Sequence, residues 1–220
     1  MDLAGYHDVV ERVGEATARA DREVSEVTVV AVSKGRSVGE IETLYSEGHR
    51  DFGENRAGEM AEKVAQLPDD IRWHFVGSLQ SNKARAIRAS THLLHSVDRV
   101  SLARGWVKGI GQPPPILIQV NIGNEEQKGG VEPDRAADLI GEATDLGLDP
   151  QGLMAIPPLG RIPEDSRRFF VALRELLAYL STPALPLGQL SMGMTNDFEV
   201  AIEEGASIIR VGRAIFGSTH

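Results

Sequence analysis

Short apolar runs alternate with segments of helical apolar spacing along the whole chain. The run VTVVAVS is the first of eight that have the length and content of strands. In the segments between them apolar residues recur three and four positions apart, as Ile41, Leu44 and Tyr45 do. The pattern predicts strands at 27–33, 50–54, 73–77, 93–98, 115–122, 151–156, 187–192 and 207–212, and helices at 5–20, 38–47, 56–67, 80–90, 99–110, 133–146, 164–180 and 196–205.

Eight strands separated by seven helices are typical of an α/β fold, the (β/α)8 TIM barrel. A doubly wound open sheet is the competing architecture, because strand–helix alternation alone does not distinguish the two. The count of eight favours the barrel. Neither a linker nor a shift in composition divides the chain, so we expect one domain over 1–220, with an extra N-terminal helix at 5–20.

Composition narrows the classes of function. The 220 residues include no cysteine, which excludes disulfides, thiolate catalysis and zinc–thiolate sites. The net charge of −9 disfavours binding to nucleic acid. No apolar run approaches the roughly 18 residues that cross a membrane, and the N-terminus does not resemble an export signal. We therefore expect a cytoplasmic protein whose partner is a small molecule.

In a barrel, functional side chains project from the C-terminal ends of the strands. His74, in the third predicted strand, has two interpretations: a cofactor contact, or a packed core histidine between Trp73 and Phe75. The other candidates share a place at or near a predicted strand end; they are Lys34, Asn55, Met154, the segment SMGMT with Ser191, Met192, Gly193 and Thr195, and Arg210 with Gly212 and Arg213.

Glycines follow both of the last two predicted strands. Gly193 lies among the hydroxyls of Ser191 and Thr195, and Gly212 ends the eighth strand. Glycine lets backbone N–H groups approach a phosphate, and the loops after strands 7 and 8 are the usual phosphate position in barrels. Tight turns would contain the same glycines, but two consecutive loops at these strands favour a phosphate site.

Lys34 follows an apolar strand directly. Closure of a barrel places the first strand beside the eighth, so Lys34 and Arg210 are expected at one mouth, next to the phosphate site. A lysine amine that attacks a phosphate-bearing aldehyde describes a site for pyridoxal 5′-phosphate (PLP). A solvated lysine at a strand end is the commoner alternative.

Five motifs, in order over about 27–217, are specific to one family: VAVSKGRS, DFGENR, WHFVGSLQSNK, GLMAIPP and LSMGMTNDFEVAIEEGASIIRVGRAIFG. With them the chain resembles the pyridoxal phosphate homeostasis proteins. The resemblance implies a barrel like the N-terminal domain of alanine racemase, with PLP held as a Schiff base on Lys34.

The same resemblance implies roles for other residues. Asn55 matches the asparagine near the cofactor, and Arg210 matches the arginine that faces the pyridine nitrogen. Two phosphate loops follow strands 7 and 8; they match Ser191, Gly193 and Thr195 in the first and Gly212 and Arg213 in the second.

Two functions share this site. A carrier would bind PLP, buffer it and deliver it to PLP-dependent apo-enzymes, with no catalytic residue. A PLP-dependent amino-acid racemase resembling alanine racemase would need a tyrosine from a C-terminal β domain of its partner subunit, whereas Tyr6, Tyr45 and Tyr179 are expected away from the mouth. We favour the carrier, as a monomer. Lys128 is either a second PLP contact or a solvated charge.

Overall fold

The computed structural model describes residues 2–125 and 129–217, and eight parallel strands close within them into a barrel in sequential order. Lys128 therefore lies outside the described residues. The strands are β1 (Thr28–Val32), β2 (Asp51–Glu54), β3 (Arg72–Phe75), β4 (Thr91–Val97), β5 (Ile116–Gln119), β6 (Pro150–Met154), β7 (Gln189–Ser191) and β8 (Ile208–Val211).

Helices connect the strands, and one further helix precedes them. The helices are α1 (Ala4–Arg19), α2 (Val38–Ser46), α3 (Ala57–Val64), α4 (Ala84–Ile87), α5 (Val100–Trp106), α6 (Ala136–Asp145), α7 (Arg167–Leu180), α8 (Phe198–Glu203) and α9 (Arg213–Phe216). None of them is both long and apolar enough to cross a membrane, within the part of the chain that the structure describes.

Pairing between the first and last strands closes the sheet. Val30 on β1 lies opposite Arg210 on β8, and Ala31 lies opposite Val211. All eight neighbouring pairs are parallel. The barrel prediction is confirmed, and the doubly wound sheet is excluded because an open sheet has no such pair.

Strand side chains alternate between two apolar layers. The layer inside the barrel is small and contains Val30, Leu93, Leu117, Met154 and Ile208. The larger layer lies between strands and helices, and includes Phe52, Trp106, Phe170 and Phe198, each buried. Polar side chains occupy much of the rest of the barrel interior.

The predicted N-terminal helix is confirmed as α1, which packs against the last elements of the chain. A Cβ on Gly5 would lie 2.3 Å from the carbonyl oxygen of Ala214, so only glycine permits this approach. Arg12 on α1 also lies 2.6 Å from the carboxylate of Glu199 on α8. Helix α1 therefore braces the loops that follow β7 and β8.

The helix predicted at 80–90 is wrong in its first turn. Residues 80–83 form a turn, closed by a hydrogen bond from the Lys83 N–H to the Gln80 carbonyl, and α4 begins at Ala84. Contact explains the difference, because a Cβ on Gly105 of α5 would lie 2.9 Å from the carbonyl oxygen of Ser81. Tertiary packing overrides the helical spacing there.

Candidate functional site

Lys34 lies at the mouth of the barrel, in the turn that follows β1. Its side chain is exposed and makes no hydrogen bond or ion pair within the described residues. The amine is therefore available to a ligand that enters from the mouth.

A buried lysine, Lys63, holds the turn that carries Lys34 by hydrogen bonds. Nζ of Lys63 on α3 lies 2.7 Å from the carbonyl oxygen of Ser33 and 2.7 Å from the Glu54 carboxylate. The Ser33 hydroxyl donates to the same Glu54 oxygen over 2.7 Å. Ser33, Glu54 and Lys63 are all buried, so the backbone immediately before Lys34 is fixed by charged hydrogen bonds away from water.

Glu59 adds to this support at the residue that follows Lys34. Its carboxylate lies 2.7 Å from the Lys63 amine and accepts from the backbone N–H of Gly35 over 2.5 Å. Burial raises the pKa of Glu54, although the hydrogen bonds from Lys63 and Ser33 oppose that rise. We call Ser33, Glu54, Glu59 and Lys63 the clamp.

Asn55 follows β2 and brings an unused acceptor to the mouth. Its Oδ1 is buried and has no hydrogen-bond partner among the described residues. Gly77 lies against it, since a Cβ there would approach the Asn55 carbonyl oxygen to 2.4 Å. Buried polar atoms are nearly always paired, so an orphaned one beside Lys34 points to a ligand.

The loop after β7 folds tightly against its own helix. Gly193 has φ +90°, and a Cβ there would lie 2.6 Å from that of Ala201. Asp197 accepts from the Met194 N–H over 2.8 Å and so closes the loop. The N–H groups of Thr195 and Asn196 donate no hydrogen bond within the described residues, which leaves two backbone donors free.

The loop after β8 approaches the end of β1. A Cβ on Gly212 would lie 3.1 Å from the carbonyl oxygen of Val32, two residues before Lys34. Arg213 begins α9, and its side chain is exposed. The structure therefore brings both glycine loops to the same mouth as Lys34.

Arg210 is a buried cation below the mouth. It donates to the Ser191 hydroxyl over 2.6 Å and to the Ala155 carbonyl over 2.9 Å, and it is 4% exposed. Burial lowers the pKa of Arg210 to about 10, so the side chain stays charged at neutral pH. Ser191 is itself fully buried, between Arg210 and His95.

The remaining candidates lie deeper. His74 is buried in the barrel interior, where it contacts Asp51 and His95 and not the mouth. Met154 belongs to the interior apolar layer. Met192 packs in the outer layer and is fully buried, and its backbone N–H donates to the Ile208 carbonyl, so it offers a ligand neither its side chain nor that N–H.

Four exposed cations surround the mouth, although the chain as a whole carries a net charge of −9. They are Lys34, Arg56, Lys83 and Arg213, in the connections after β1, β2, β3 and β8. None of the four forms an ion pair within the described ranges. Local positive charge of this kind attracts anions to a cleft.

Sequence reasoning missed Asp51, His95 and, in the clamp, Ser33, Glu59 and Lys63. Asp51 and His95 share one signal, because each is a polar residue at an inward-facing position of a strand. Leu93 on β4 faces the interior, and two residues further His95 faces it too. Glu59 and Lys63 carry no comparable signal, because solvated charges are common on helices.

Comparisons with known proteins agree with this geometry. Residues 11–220 match the family model described as alanine racemase, N-terminal domain. A pyridoxal phosphate homeostasis protein of Aquifex aeolicus is 42% identical over 219 residues, which covers 95% of this chain and 94% of the relative.

Two solved structures are also similar over nearly their whole length. A protein of unknown function from Bifidobacterium adolescentis superimposes with a TM-score of 0.88 at 34% identity, covering 97% of this chain and 94% of that one. PipY of Synechococcus elongatus, solved with PLP bound, has a TM-score of 0.79 at 35% identity and covers 95% of this chain and 100% of that one.

Proposed function

Because the chain belongs to the pyridoxal phosphate homeostasis protein family, we propose that it binds PLP and acts in PLP homeostasis as a carrier, with no turnover of a substrate. The observation that carries the proposal is the meeting of an unpartnered lysine, two glycine loops and a buried arginine at one barrel mouth. The PLP-bound relative PipY, with the same fold, supports it.

The residues present fit this cofactor. Asn55 offers an orphaned buried acceptor, and Thr195 and Asn196 offer free backbone donors. When bound, PLP supplies a reactive aldehyde. Lys34 is the residue that would hold PLP covalently, through its unpartnered amine and with loss of one water molecule.

Backbone donors would hold the phosphate. The loop of Gly193 and Thr195 supplies N–H groups and a hydroxyl, and Gly212 brings the second loop close. The Arg213 side chain adds positive charge from the surface. Ser191 is occupied by Arg210 and His95, so it supports the site from below, and Thr195 is the residue whose hydroxyl would hold the phosphate.

Arg210 would hold the ring nitrogen of PLP unprotonated, because a cation disfavours a second positive charge beside it. Such a ring is a weak electron sink, which suits retention of the cofactor and not carbanion chemistry. Met154, in the interior apolar layer, would support the ring, and Met192 would shape the loop through its backbone. His74 acts at a distance, through His95.

The tyrosines support a carrier over a racemase. Tyr6 packs against His49, before β2, and Tyr45 donates to Asp70, before β3, so both lie at the opposite end of the barrel. Tyr179 is 83% exposed near the end of α7. None of the three tyrosines is placed to exchange a proton at the mouth, as a two-base racemase requires.

PLP-dependent apo-enzymes are the recipients in this proposal, and the carrier works as a monomer in the cytoplasm. The absence of cysteine is compatible with a reducing compartment.

Binding is tested by equilibrating the protein with PLP by dialysis and then removing unbound PLP by gel filtration. The wild type is expected to retain about one PLP per chain, whereas protein that elutes without PLP contradicts the proposal. Incubation of the loaded protein with L- or D-alanine is expected to leave the enantiomer ratio unchanged. Racemisation would favour the enzyme alternative.

A further inference from the structure

A line of hydrogen bonds crosses the barrel interior beneath the site. Arg210 contacts the Ser191 hydroxyl at 2.6 Å, and that hydroxyl lies 2.8 Å from Nδ1 of His95. Nε2 of His95 lies 2.9 Å from Nδ1 of His74, and Nε2 of His74 lies 3.1 Å from the Asp51 carboxylate. We call these five residues the interior chain. They come from β8, β7, β4, β3 and β2.

Every member is nearly inaccessible to water. Ser191 and His95 are fully buried, His74 is 2% exposed, Arg210 4% and Asp51 9%. A hydrogen bond is stronger in such surroundings, and successive bonds polarise one another.

Arg210 needs this support because it lacks a carboxylate partner. No acid forms an ion pair with its guanidinium within the described residues, and its two acceptors are neutral oxygens. A buried charge without compensation is costly. The interior chain leads from this cation to the negative charge of Asp51 at its far end.

One direction of donation agrees with the donors and acceptors along the chain. Arg210 can only donate, so the Ser191 oxygen accepts from it and leaves the hydroxyl hydrogen for Nδ1 of His95. Burial lowers the pKa of His95 well below its ordinary value, so this ring is neutral and its single hydrogen is on Nε2. That hydrogen is donated to Nδ1 of His74, and the remaining hydrogen of His74 goes to Asp51.

The Asp51 end of the interior chain requires the same direction of hydrogen-bond donation. Burial raises the pKa of Asp51, but hydrogen bonds from Arg72 and His74 outweigh it and hold that pKa well below its usual range. Arg72 contacts both carboxylate oxygens, at 2.7 and 2.5 Å. An ionised carboxylate only accepts, so His74 must donate to it. The hydrogen that Asp51 accepts is therefore on Nε2 of His74.

We propose that the interior chain positions Arg210 for the cofactor ring, with Asp51 at the opposite end of the barrel fixing the direction of every donor. The inference rests on the proposed function, in which Arg210 faces the ring nitrogen. His74 and His95 are positioning residues and touch no ligand. Their effect reaches the cofactor through the lone pair that Ser191 presents to Arg210.

Histidine tautomers in the full-length wild type test the chain without any cofactor. Two-bond proton–nitrogen correlation spectra of protein labelled with nitrogen-15 in histidine are expected to show His95 neutral, with hydrogen on Nε2 and a bare Nδ1, and His74 with hydrogen on Nε2. A hydrogen on Nδ1 of His95 overturns the proposal, because the direction of the chain would then be broken.

Substitution of His95 tests the effect on the cofactor. His95→Gln keeps an acceptor and a donor on one planar group, whereas His95→Leu removes both. We expect His95→Leu to raise the Kd for PLP about tenfold, the effect of one hydrogen bond, and to shift the absorption maximum of bound PLP. His95→Gln is expected to restore both values to near wild type. His92→Leu, which removes an exposed ring that contacts His74 but takes no hydrogen bond in the described residues, is the matched control.

Failure of the positioning role and failure of the proposed function can be distinguished. If the wild type binds PLP and His95→Leu binds it with unchanged Kd and absorption maximum, the positioning role is overturned while the proposed function stands. If the wild type does not bind PLP, the proposed function fails and, with it, the role of the chain toward the cofactor; the tautomers still decide its direction.

Discussion

Lys63 reaches from helix α3 to the carbonyl oxygen of Ser33, 2.7 Å from its Nζ, at the residue immediately before Lys34. The contact joins a buried charge to the backbone of the turn that carries the candidate cofactor lysine. The position of Lys34 is therefore linked to the stability of the protein, and both can be measured.

Lys63→Met is expected to destabilise the protein by about 3 kcal/mol at pH 8, because it leaves the buried Glu54 carboxylate without its cation. Burial already raises the pKa of Glu54, and loss of Lys63 raises it further. A group with a raised pKa in the folded state stabilises the protein when it is protonated. The contribution of Glu54 to the free energy of unfolding is therefore fully present below the unfolded pKa of about 4.3, and it is lost as pH rises through the raised folded pKa. Urea unfolding at pH 5 and pH 8 should therefore show a larger loss at pH 8.

The double variant Glu54→Gln with Lys63→Met is the control. It removes the unpaired charge, so much of the lost free energy of unfolding should return, while PLP binding stays weaker than in the wild type because Ser33 is no longer held. A loss that is equal at both pH values, or no recovery in the double variant, would contradict this account of the clamp.

Asp51→Asn is expected to lower the free energy of unfolding by about 2 kcal/mol at pH 7, since the carboxylate that accepts from Arg72 and His74 is replaced by a neutral amide with one acceptor oxygen. The pKa of Asp51 is depressed in the folded state, so its contribution is present above the unfolded pKa of about 3.9 and is lost as pH falls through the folded value. The gap between variant and wild type should narrow below about pH 4. Asp69→Asn, at an exposed carboxyl, should change little at any pH.

Gly193→Ala tests the loop after β7. The substitution combines a left-handed backbone with a Cβ 2.6 Å from Ala201, so we expect a loss of about 2 kcal/mol and weaker PLP binding. Gly188→Ala, where nothing lies within 4 Å of the new Cβ, is the matched control and should leave both stability and binding nearly unchanged. Equal effects at the two positions would be inconsistent with a close-packed loop.

The cations around the mouth are expected to act on the rate of PLP association. Arg56→Gln with Lys83→Gln should slow association several-fold at low salt and much less at high salt, because salt screens exposed charges. Arg104→Gln with Lys108→Gln removes the same charge from α5 and the segment after it, away from the mouth. Stopped-flow traces that show equal slowing in both pairs would argue against local steering.

The fold was predictable from the sequence because its signal is repeated eight times. Most strands are short apolar runs, and errors of up to four residues at individual element ends do not change the count. The exception at 80–83 arose from contact with Gly105, which local spacing does not contain.

The site was only partly predictable. Lys34, Gly193 and Gly212 follow from strand ends and glycine turns, and the structure brings all three to one mouth. The interior chain was not predicted, because a hydrogen bond between His74 and His95 depends on the register of two strands. Register is set by tertiary packing, and a single sequence does not display it.

The central claim is that PLP is retained by a covalent bond to Lys34. It is tested most directly by reducing the PLP-loaded protein with borohydride and locating the added mass by peptide mass spectrometry, in the wild type and in Lys34→Arg, which keeps the charge. The account predicts one reduced phosphopyridoxyl group on the peptide that contains Lys34, and none in the variant. Modification of another lysine in the wild type, or the same extent of modification in Lys34→Arg, would contradict it.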